Sequence, residues 1–403
     1  IQDPHMFSLV APGEINLFYI VMLCGSALLG IVTQPHIMGV CAAGRNEMDG
    51  RVGFSCGNLL KRFCTVAWMV VGLCAVVMYP GLTGKQPDMV YGQVARDLLP
   101  MVMPGLVGVF LAALFASVMS SCDAFMVSSS GLFTQNFYRR WLVREAPEKH
   151  YVLVGRIAAL VIVTCGIIFA YSVSNVPEGL VWFFKLQVVM APAFWLGLFW
   201  RRATVAGAWA ATLTGLAILT ALDHTSFHAW AAGQQVAAQE GQTLTVFATQ
   251  EGVPVESLSA WNGGVDPAAP LAANTMVRVS PQNLPDSMIW EGKFRNSWQF
   301  FFQIFISFAV GILVSLVTPR VRQEKLDQIY ACLRTPVQPN EPHDPRPFSL
   351  PPGVTVPEAR KLFNHPDLEI PYPSREGMVG FGLLWLAVVG LIAFVYWMMT
   401  WGT

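Results

Sequence analysis

The stretch FASVMSSCDAFMVSSSGLF, Phe115 to Phe133, places many oxygen-bearing side chains inside a strongly apolar run. At roughly 100° per residue, one narrow helix face collects small residues: Ser117, Ser120, Ser121, Ala124 and Ser128. Two kinds of chemistry suit such a face. Hydroxyls and carbonyls three and four residues apart can surround a small hard cation with oxygen. Alternatively, small residues let membrane helices pack closely, with each serine bonded to the carbonyl four residues before it.

Asp123 lies beside this face, next to Ser120. A carboxylate within a membrane span costs roughly 2.5–3.5 kcal/mol on insertion scales, and such a residue usually faces a cavity, an ion or a partner. The acid therefore favours a sodium site over helix packing. An intramembrane enzyme that uses Asp123 is a further alternative. The sequence has no Ser-His-Asp arrangement, HExxH motif or phosphate loop, so we expect no enzymatic activity.

The composition indicates the bilayer as the environment of these residues. Of 403 residues, 54% are hydrophobic and only 12% are charged, which is too little charge to cover a soluble surface. The formal net charge is zero, so we expect no nucleic-acid partner. The eight cysteines form no CxxC pair and are interpreted as small apolar side chains.

Eight segments are long and apolar enough to span a hydrocarbon core of about 30 Å. They lie near 15–33, 63–83, 101–133, 153–173, 179–200, 203–222, 297–318 and 378–399. The third is longer than a span needs, so we expect it to continue beyond the membrane as a helix. The loops after the first, third, fifth and seventh segments are rich in Lys and Arg, and the alternate loops are poor in them. The positive-inside rule therefore places the basic loops in the cytoplasm.

The long polar insert between the sixth and seventh segments then falls outside the cytoplasm. Val236 to Pro281 read VAAQEGQTLTVFATQEGVPVESLSAWNGGVDPAAPLAANTMVRVSP, which predicts a strand, two short helices and a closing strand. This order resembles a LysM module, a βααβ fold that binds N-acetylglucosamine polymers such as peptidoglycan. The resemblance implies a glycan groove between two loops: Gly241, Gln242, Thr243 and Leu244 on one side, and Asn262, Gly263 and the residues to Val265 on the other. A solvated spacer is the alternative.

Three regions follow from these patterns. Residues 1–222 form a membrane domain of six spans, 223–295 form an extracytoplasmic loop that contains the LysM-like module (236–281), and 296–403 contain the last two spans. The last region includes a proline-rich and charged cytoplasmic linker, 319–376. His224 and His228 lie four residues apart in the loop, without further candidate metal ligands, and we expect them to be solvated.

The serine stretch also resembles a specific helix of a known family. MPGLVGVFLAALFASVMSSCDAFMVSSSGLFTQNFYRRW is similar to the helix that provides half of the sodium site in sodium:solute symporters, which include sodium/glucose and sodium/proline symporters. VTQPHIMGVCAAGRNEMDGRVG and APAFWLGLFWRRATVAGAWAATLTG match two other family stretches in order. The resemblance implies an all-α polytopic membrane protein with the leucine-transporter type of inverted repeat. The first five segments would be the second repeat, and we expect the chain to be a piece of a longer protein.

The family's site positions map onto individual residues of this chain. The resemblance implies sodium ligands at the Ser117 carbonyl and at the Ser120 and Ser121 hydroxyls, with a second ion site at Asp123. Leu29 and Gly30 stand where sugar symporters have a Tyr-Trp pair, and Phe184 where they have a sugar-binding glutamine, so the solute stays open. The substrate-pocket candidates are Gly30, Gln34, Lys61, Phe184 and Lys185.

Two of these candidates have alternative interpretations. Lys185 is either a lysine whose ammonium reaches the membrane surface or an anion contact in the pocket. Lys61, with Arg62, is placed at the start of a helix, where it would determine topology.

These observations predict a sodium-coupled symporter of a small organic solute that works by alternating access in a bacterial inner membrane. The expected partners are the sodium ion, the solute, membrane lipid and peptidoglycan on the periplasmic side. The alternative is a wall-anchored membrane scaffold or sensor that is built on a degenerate symporter fold and does not transport.

Overall fold

The apolar segments predicted from the sequence are helices in the computed structural model, which describes residues 15–81, 86–173, 175–337, 349–351, 353–358 and 360–400. Within these residues, seven helices are long and apolar enough to cross a membrane. The pair Leu17–Thr33 and Pro35–Ala42 makes an eighth if it is one broken span. By length and composition, the prediction of about eight spans is confirmed.

Helices lie before, within and after the insert. Before it lie α1 (Leu17–Gly30), α2 (Pro35–Ala42), α3 (Glu47–Met78), α4 (Gln86–Val102), α5 (Leu106–Leu132), α6 (Glu148–Ser172), α7 (Val176–Phe199) and α8 (Val205–Leu222). Within and after it lie α9 (Thr225–Ala232), α10 (Leu244–Glu251), α11 (Val255–Trp261), α12 (Asn296–Val317), α13 (Gln323–Arg334) and α14 (Arg375–Thr400). A π-helix, Phe133–Leu142, extends α5, so the expected continuation of the third segment is confirmed.

The start of α3 corrects one prediction. The helix begins at Glu47, and the Asn46 side chain caps it by accepting a hydrogen bond from the Asp49 backbone N–H at 2.9 Å. Acidic residues in the first turn further suit the positive end of the helix dipole. Lys61 therefore lies in the middle of a long helix rather than at a helix start, and its side chain is exposed. The apolar pattern located the span but missed the polar turns that precede it.

Neither α4 nor α13 was predicted from the sequence, and nor was the short helix α9. α4 precedes α5, and the two are separated by Gly105, whose φ of 91° suits glycine. α13 lies in the linker that we predicted for 319–376, where the sequence suggested no helix. Both α4 and α13 are amphipathic and rich in charge, so a search for apolar spans does not detect them.

The described residues divide into two compact units. The first contains Ile31–Phe183 and the part of the chain after Arg322. In it, α5 packs on α2, α4 and α6, while α3 packs on α2 and α14. The turn after the π-helix is fixed by a bond of 3.0 Å from the Tyr151 hydroxyl to the Val143 carbonyl and by one of 3.0 Å between the Tyr138 hydroxyl and His150 Nε2.

The second unit contains residues 15–30 and Phe184–Val321, and its core is a close pair of helices, α8 and α12. Small residues at four-residue spacing face each other: Gly207, Ala211 and Gly215 on α8, and Ser307, Gly311 and Ser315 on α12. A Cβ on Gly207 would lie 1.9 Å from the Ser315 hydroxyl, so the helices approach as closely as the glycine allows.

The insert has its own small core within the second unit. Strands β1 (Gln235–Ala237) and β2 (Met276–Arg278) pair antiparallel, with Val236 opposite Val277, and α10 and α11 lie between them in sequence. Leu244, Phe247 and Leu258 are buried against Val277. The order strand, helix, helix, strand agrees with the secondary structure predicted from the sequence.

A second small cluster follows the module. It joins Ala231 and Ala232 of α9 to a hairpin of β3 (Ile289–Trp290) and β4 (Lys293–Phe294). Glu291 and Gly292 both have positive φ, as a tight two-residue hairpin turn requires.

Ion pairs connect the described part of the linker to α13. The Glu369 carboxylate is buried and forms ion pairs with Arg334 of α13 and with Lys361, the latter at 2.9 Å. The backbone N–H of Leu362 donates to the Ile370 carbonyl at 2.9 Å, which holds this segment in a short antiparallel contact.

Candidate functional site

The hydroxyl face predicted for the third segment lies on α5 in the first unit. Ser117, Ser120, Ser121 and Asp123 are all exposed, and no described residue of α5 is buried. The Ser121 hydroxyl donates to the Ser117 carbonyl at 3.2 Å, so two of the three predicted sodium ligands are in contact. A hydroxyl that donates its one hydrogen keeps its oxygen lone pairs. Ser121 can therefore bond to Ser117 and still offer an oxygen to a cation.

Helix α2 lies next to this stretch of α5. The ring centroids of His36 and Phe125 are 4.3 Å apart, which places the start of α2 beside the serine cluster. Gln34 is the N-cap residue of α2, but its side chain makes no capping hydrogen bond. The first unit thus brings Gln34 and the serines onto adjacent helices. Lys61 is exposed in the middle of α3.

Lys185 has a partner that the sequence did not reveal. Its side chain is 4% exposed, and its ammonium lies 2.8 Å from the carboxylate of Asp223, just after α8. The Lys185 carbonyl also accepts a hydrogen bond from Gln303 at 3.0 Å. The two interpretations from the sequence, an ammonium at the membrane surface and an anion contact, did not include this pairing. The Asp223 carboxylate therefore neutralises the charge of the buried Lys185 ammonium.

Gly30 and Phe184 lie in the second unit with Lys185. The Phe184 carbonyl accepts a hydrogen bond from Ser26 at 3.4 Å, which joins α7 to α1. Gly30 ends α1 and lies against Gln187: a Cβ on Gly30 would come within 2.7 Å of the Gln187 Cβ. Gln187 was not among the residues selected from the sequence. Its signal is a long polar side chain within an apolar span, two residues after Lys185.

The predicted glycan loops of the insert contain residues with internal roles. Leu244 is 1% exposed and belongs to the core of the module. The carboxamide of Asn262 donates to the carbonyls of Leu258 and Arg278 and accepts from the Arg278 N–H, all at 2.8–2.9 Å. These two side chains hold the module together and are not available to a ligand. Gly241, Gln242, Thr243 and Gly263 remain at or near its surface.

The first of the two loops is bonded to the segment around Leu271. The Gly241 N–H donates to the Leu271 carbonyl at 3.1 Å, and the Leu271 N–H donates to the Gln242 carbonyl at 2.8 Å. The Gln242 side chain accepts a hydrogen bond from the Gln239 N–H at 2.8 Å. The first loop is therefore fixed by backbone contacts, with the Thr243 hydroxyl near its surface.

His228 differs from the solvated residue expected from the sequence. Its Nδ1 accepts a hydrogen bond from the Phe294 N–H at 3.1 Å, which joins α9 to β4. Burial lowers the pKa of His228, and the nearby Lys185 and Lys293 act in the same direction, while Asp223 opposes them. His224 instead caps α9 through its Nδ1.

Among the described residues, no group of three or more His, Cys, Asp or Glu side chains could hold a metal ion.

Comparisons with known proteins agree with the resemblance of the serine stretch. A family model described as the sodium:solute symporter family matches residues 8–215. A sodium/proline symporter of Haemophilus influenzae is 31% identical over 204 residues, which are 46% of this chain and 38% of that protein. A sodium/pantothenate symporter of the same organism is 26% identical over 221 residues, 53% and 44% of the two chains.

A sodium/mannose cotransporter of Bos taurus is 33% identical over 137 residues, 32% of this chain and 22% of that protein. The chain therefore spans less than half the length of these relatives. The solutes in their names are a zwitterion, an anion and a neutral sugar.

Proposed function

The chain belongs to the sodium:solute symporter family, and from this premise we propose that the protein couples the uptake of a small organic solute to sodium by alternating access. The family match supports sodium as the transported coupling ion. The broken helix α1–α2, α3, α5, α6 and α7 would form the second half of an inverted repeat, and α8, α12 and α14 would be additional helices.

The observation that supports the sodium site best is the exposed oxygen-rich face of α5. Sodium would bind the Ser117 carbonyl with the Ser120 and Ser121 hydroxyls, and Asp123 would contribute to a second ion site. Oxygen is the ligand that a hard cation prefers. In the described residues no side chain packs over these serines deeply enough to bury them.

Sodium-dependent uptake by the full-length protein in proteoliposomes tests this proposal. Ser120→Ala and Ser121→Ala should each raise the sodium concentration for half-maximal uptake, because hydrocarbon supplies no substitute oxygen. Ser130→Ala is a matched control, since Ser130 lies on the opposite face of α5 and bonds the Val127 carbonyl at 3.3 Å. Unchanged half-saturation in both serine variants would remove the sodium site from this helix.

A second proposed function belongs to the insert, which would bind peptidoglycan as a LysM-like module in the periplasm. The antiparallel pairing of β1 with β2 around two helices supports it. The contact residues would be Gly241, Gln242, Thr243 and Gly263.

Retention of the detergent-solubilised protein on purified peptidoglycan tests this function. Gln242→Ala with Thr243→Ala should weaken retention, while Gln250→Ala, an exposed change elsewhere in α10, should not. Equal retention in all variants would contradict the assignment of these loops. Retention without any sodium-dependent uptake would favour a wall-anchored scaffold over a transporter.

A further inference from the structure

The carboxamide of Gln187 is buried in the second unit with no hydrogen-bond partner at either end. The residue is 9% exposed, and neither its Oε1 nor its Nε2 has a partner among the described residues. Buried polar side chains are nearly always hydrogen-bonded, because removing an amide from water without compensation opposes folding. Within an apolar helix, such a group usually faces a cavity or a polar partner.

Gly30 defines the surroundings of this amide. A Cβ at Gly30 would lie 2.9 Å from the Gln187 Oε1 and 2.7 Å from its Cβ. Any other residue at position 30 would therefore displace the Gln187 amide from the end of α1. On the same side of α7, Trp195 donates to the Leu29 carbonyl at 2.9 Å, which fixes the end of α1 beside the amide.

The charges nearby cancel one another. Lys185, two residues earlier on α7, is paired with Asp223 at 2.8 Å. Residues two apart point to different sides of a helix, so this pair does not reach the amide. The ammonium of Lys185 is already compensated and leaves no positive charge to attract an anion.

We propose that Gln187 contacts the transported solute, and that the solute has no net charge and presents a hydrogen-bond donor beside an acceptor. A carboxamide offers both a C=O and an NH₂ group, so its complement is a group with one of each. Zwitterionic amino acids and neutral sugars share this chemistry, whereas for a solute with net negative charge the nearby Lys185, among the residues that the structure describes, is already paired with Asp223. The inference rests on the proposed symport function and specifies its solute class.

Uptake into proteoliposomes that contain the full-length protein tests sodium-coupled symport and the neutral solute class separately. Uptake of labelled L-proline, D-mannose and pantothenate is first measured for the unmodified protein with and without sodium. We expect sodium-dependent uptake of L-proline or D-mannose and none of pantothenate. If sodium drives uptake of none of the three, the proposed function fails and this inference with it. Preference for pantothenate leaves symport standing and overturns the neutral-solute assignment.

Variants then test Gln187 itself. Gln187→Leu, which keeps the volume but removes both polar groups, should raise the half-saturating concentration of the accepted solute about tenfold or more. Gln303→Leu is the matched control, since Gln303 is a buried glutamine of the same unit whose Nε2 donates to the Lys185 carbonyl at 3.0 Å. Sodium-driven uptake with unchanged solute half-saturation in a folded Gln187→Leu protein overturns the inference and leaves the proposed function intact.

A second variant keeps the inference falsifiable if Gln187→Leu does not fold. Gly30→Ala leaves the amide in the chain but forces it from its position, because the new methyl group overlaps it. We expect the same direction of change in solute half-saturation. Wild-type solute affinity in Gly30→Ala would show that the position of the amide does not matter to the solute.

Discussion

Lys185 illustrates how one neighbour decides what a charged side chain does in an apolar helix. In sequence it is an isolated lysine, and Asp223 lies 38 residues later. The structure joins them because α7 and α8 both pack in the second unit. A buried ion pair with one partly exposed member gives little net stability, but losing one partner leaves an uncompensated charge.

The pair predicts non-additive stability. Lys185→Met should destabilise the protein by at most about 3–5 kcal/mol, and toward the low end, since water can solvate part of Asp223. The double variant Lys185→Met with Asp223→Asn should recover much of the loss, because no charge then remains buried. Thermal unfolding midpoints of the single and double variants measure this effect. Losses that simply add would show that the two side chains do not interact.

His228 is the second residue whose environment sets its chemistry. Its Nδ1 accepts the Phe294 N–H, which only the neutral ring can do. Burial also lowers its pKa in the folded protein. The folded state therefore favours the neutral form. The stability that this contributes is fully present above the unfolded pKa of 6.5 and is lost as the pH falls below that value toward the folded pKa.

A pH series should reveal this loss. Between pH 7.5 and pH 5, His228→Asn should lose less of its thermal midpoint than the unmodified protein does, because asparagine can accept the Phe294 N–H without titrating. His224→Asn serves as the control, since asparagine also caps helices well. If His228→Asn and the unmodified protein lose the same amount, His228 does not sense pH.

At the scale of elements, serine has different surroundings in two helices of this chain. On α12, Ser307 and Ser315 are buried against the glycines of α8. On α5, Ser117, Ser120 and Ser121 are exposed along one face. The sequence alone leaves packing and ion binding open for any serine-rich span. The glycines opposite α12 show packing there, and the uncovered face of α5 is the one we propose for sodium.

The α8–α12 contact predicts a strong dependence on side-chain size. Gly207→Leu would drive a side chain into Ser315 and toward the Gly311 carbonyl, 2.8 Å from the new Cβ. We expect a loss of about 1–3 kcal/mol or more, as overpacking usually causes. Gly197→Leu is the matched control, because a Cβ at Gly197 meets nothing within 4 Å. Equal thermal midpoints for the two variants would contradict the close approach of these helices.

At the scale of the whole molecule, the family match covers residues 8–215 and ends before the insert. The insert follows α8 and has its own core, so it is an addition to the membrane helices with separate packing. Its proposed position outside the cytoplasm depends on the alternation of basic loops between spans.

Cysteine labelling tests this orientation. The eight native cysteines are free, so each is first replaced. Gln250→Cys in the insert should then react with a membrane-impermeant thiol reagent in intact spheroplasts, and Arg144→Cys should react only after lysis. Equal labelling of both positions in intact cells would contradict the predicted topology.

The sequence by itself determined the spans, the order of elements in the insert and the family. Each of these depends on neighbours along the chain: hydropathy over a window, strand and helix periods, and the serine spacing of Ser117, Ser120 and Ser121. The helices α4 and α13 were not predicted, because the sequence of a charged amphipathic helix is similar in mean hydropathy to that of a solvated loop. The start of α3 was missed for the same reason, which misplaced Lys61.

Only the tertiary structure decided what the polar side chains within the spans contact. The pairing of Lys185 with Asp223, the unpartnered amide of Gln187 against Gly30 and the internal role of Asn262 all join residues distant in sequence. A hydrogen bond or ion pair depends on distances of about 3 Å, which hydropathy and periodicity do not encode. Local pattern therefore predicts where a helix lies, while the packing of several helices determines whether its polar atoms meet protein, ion or solute.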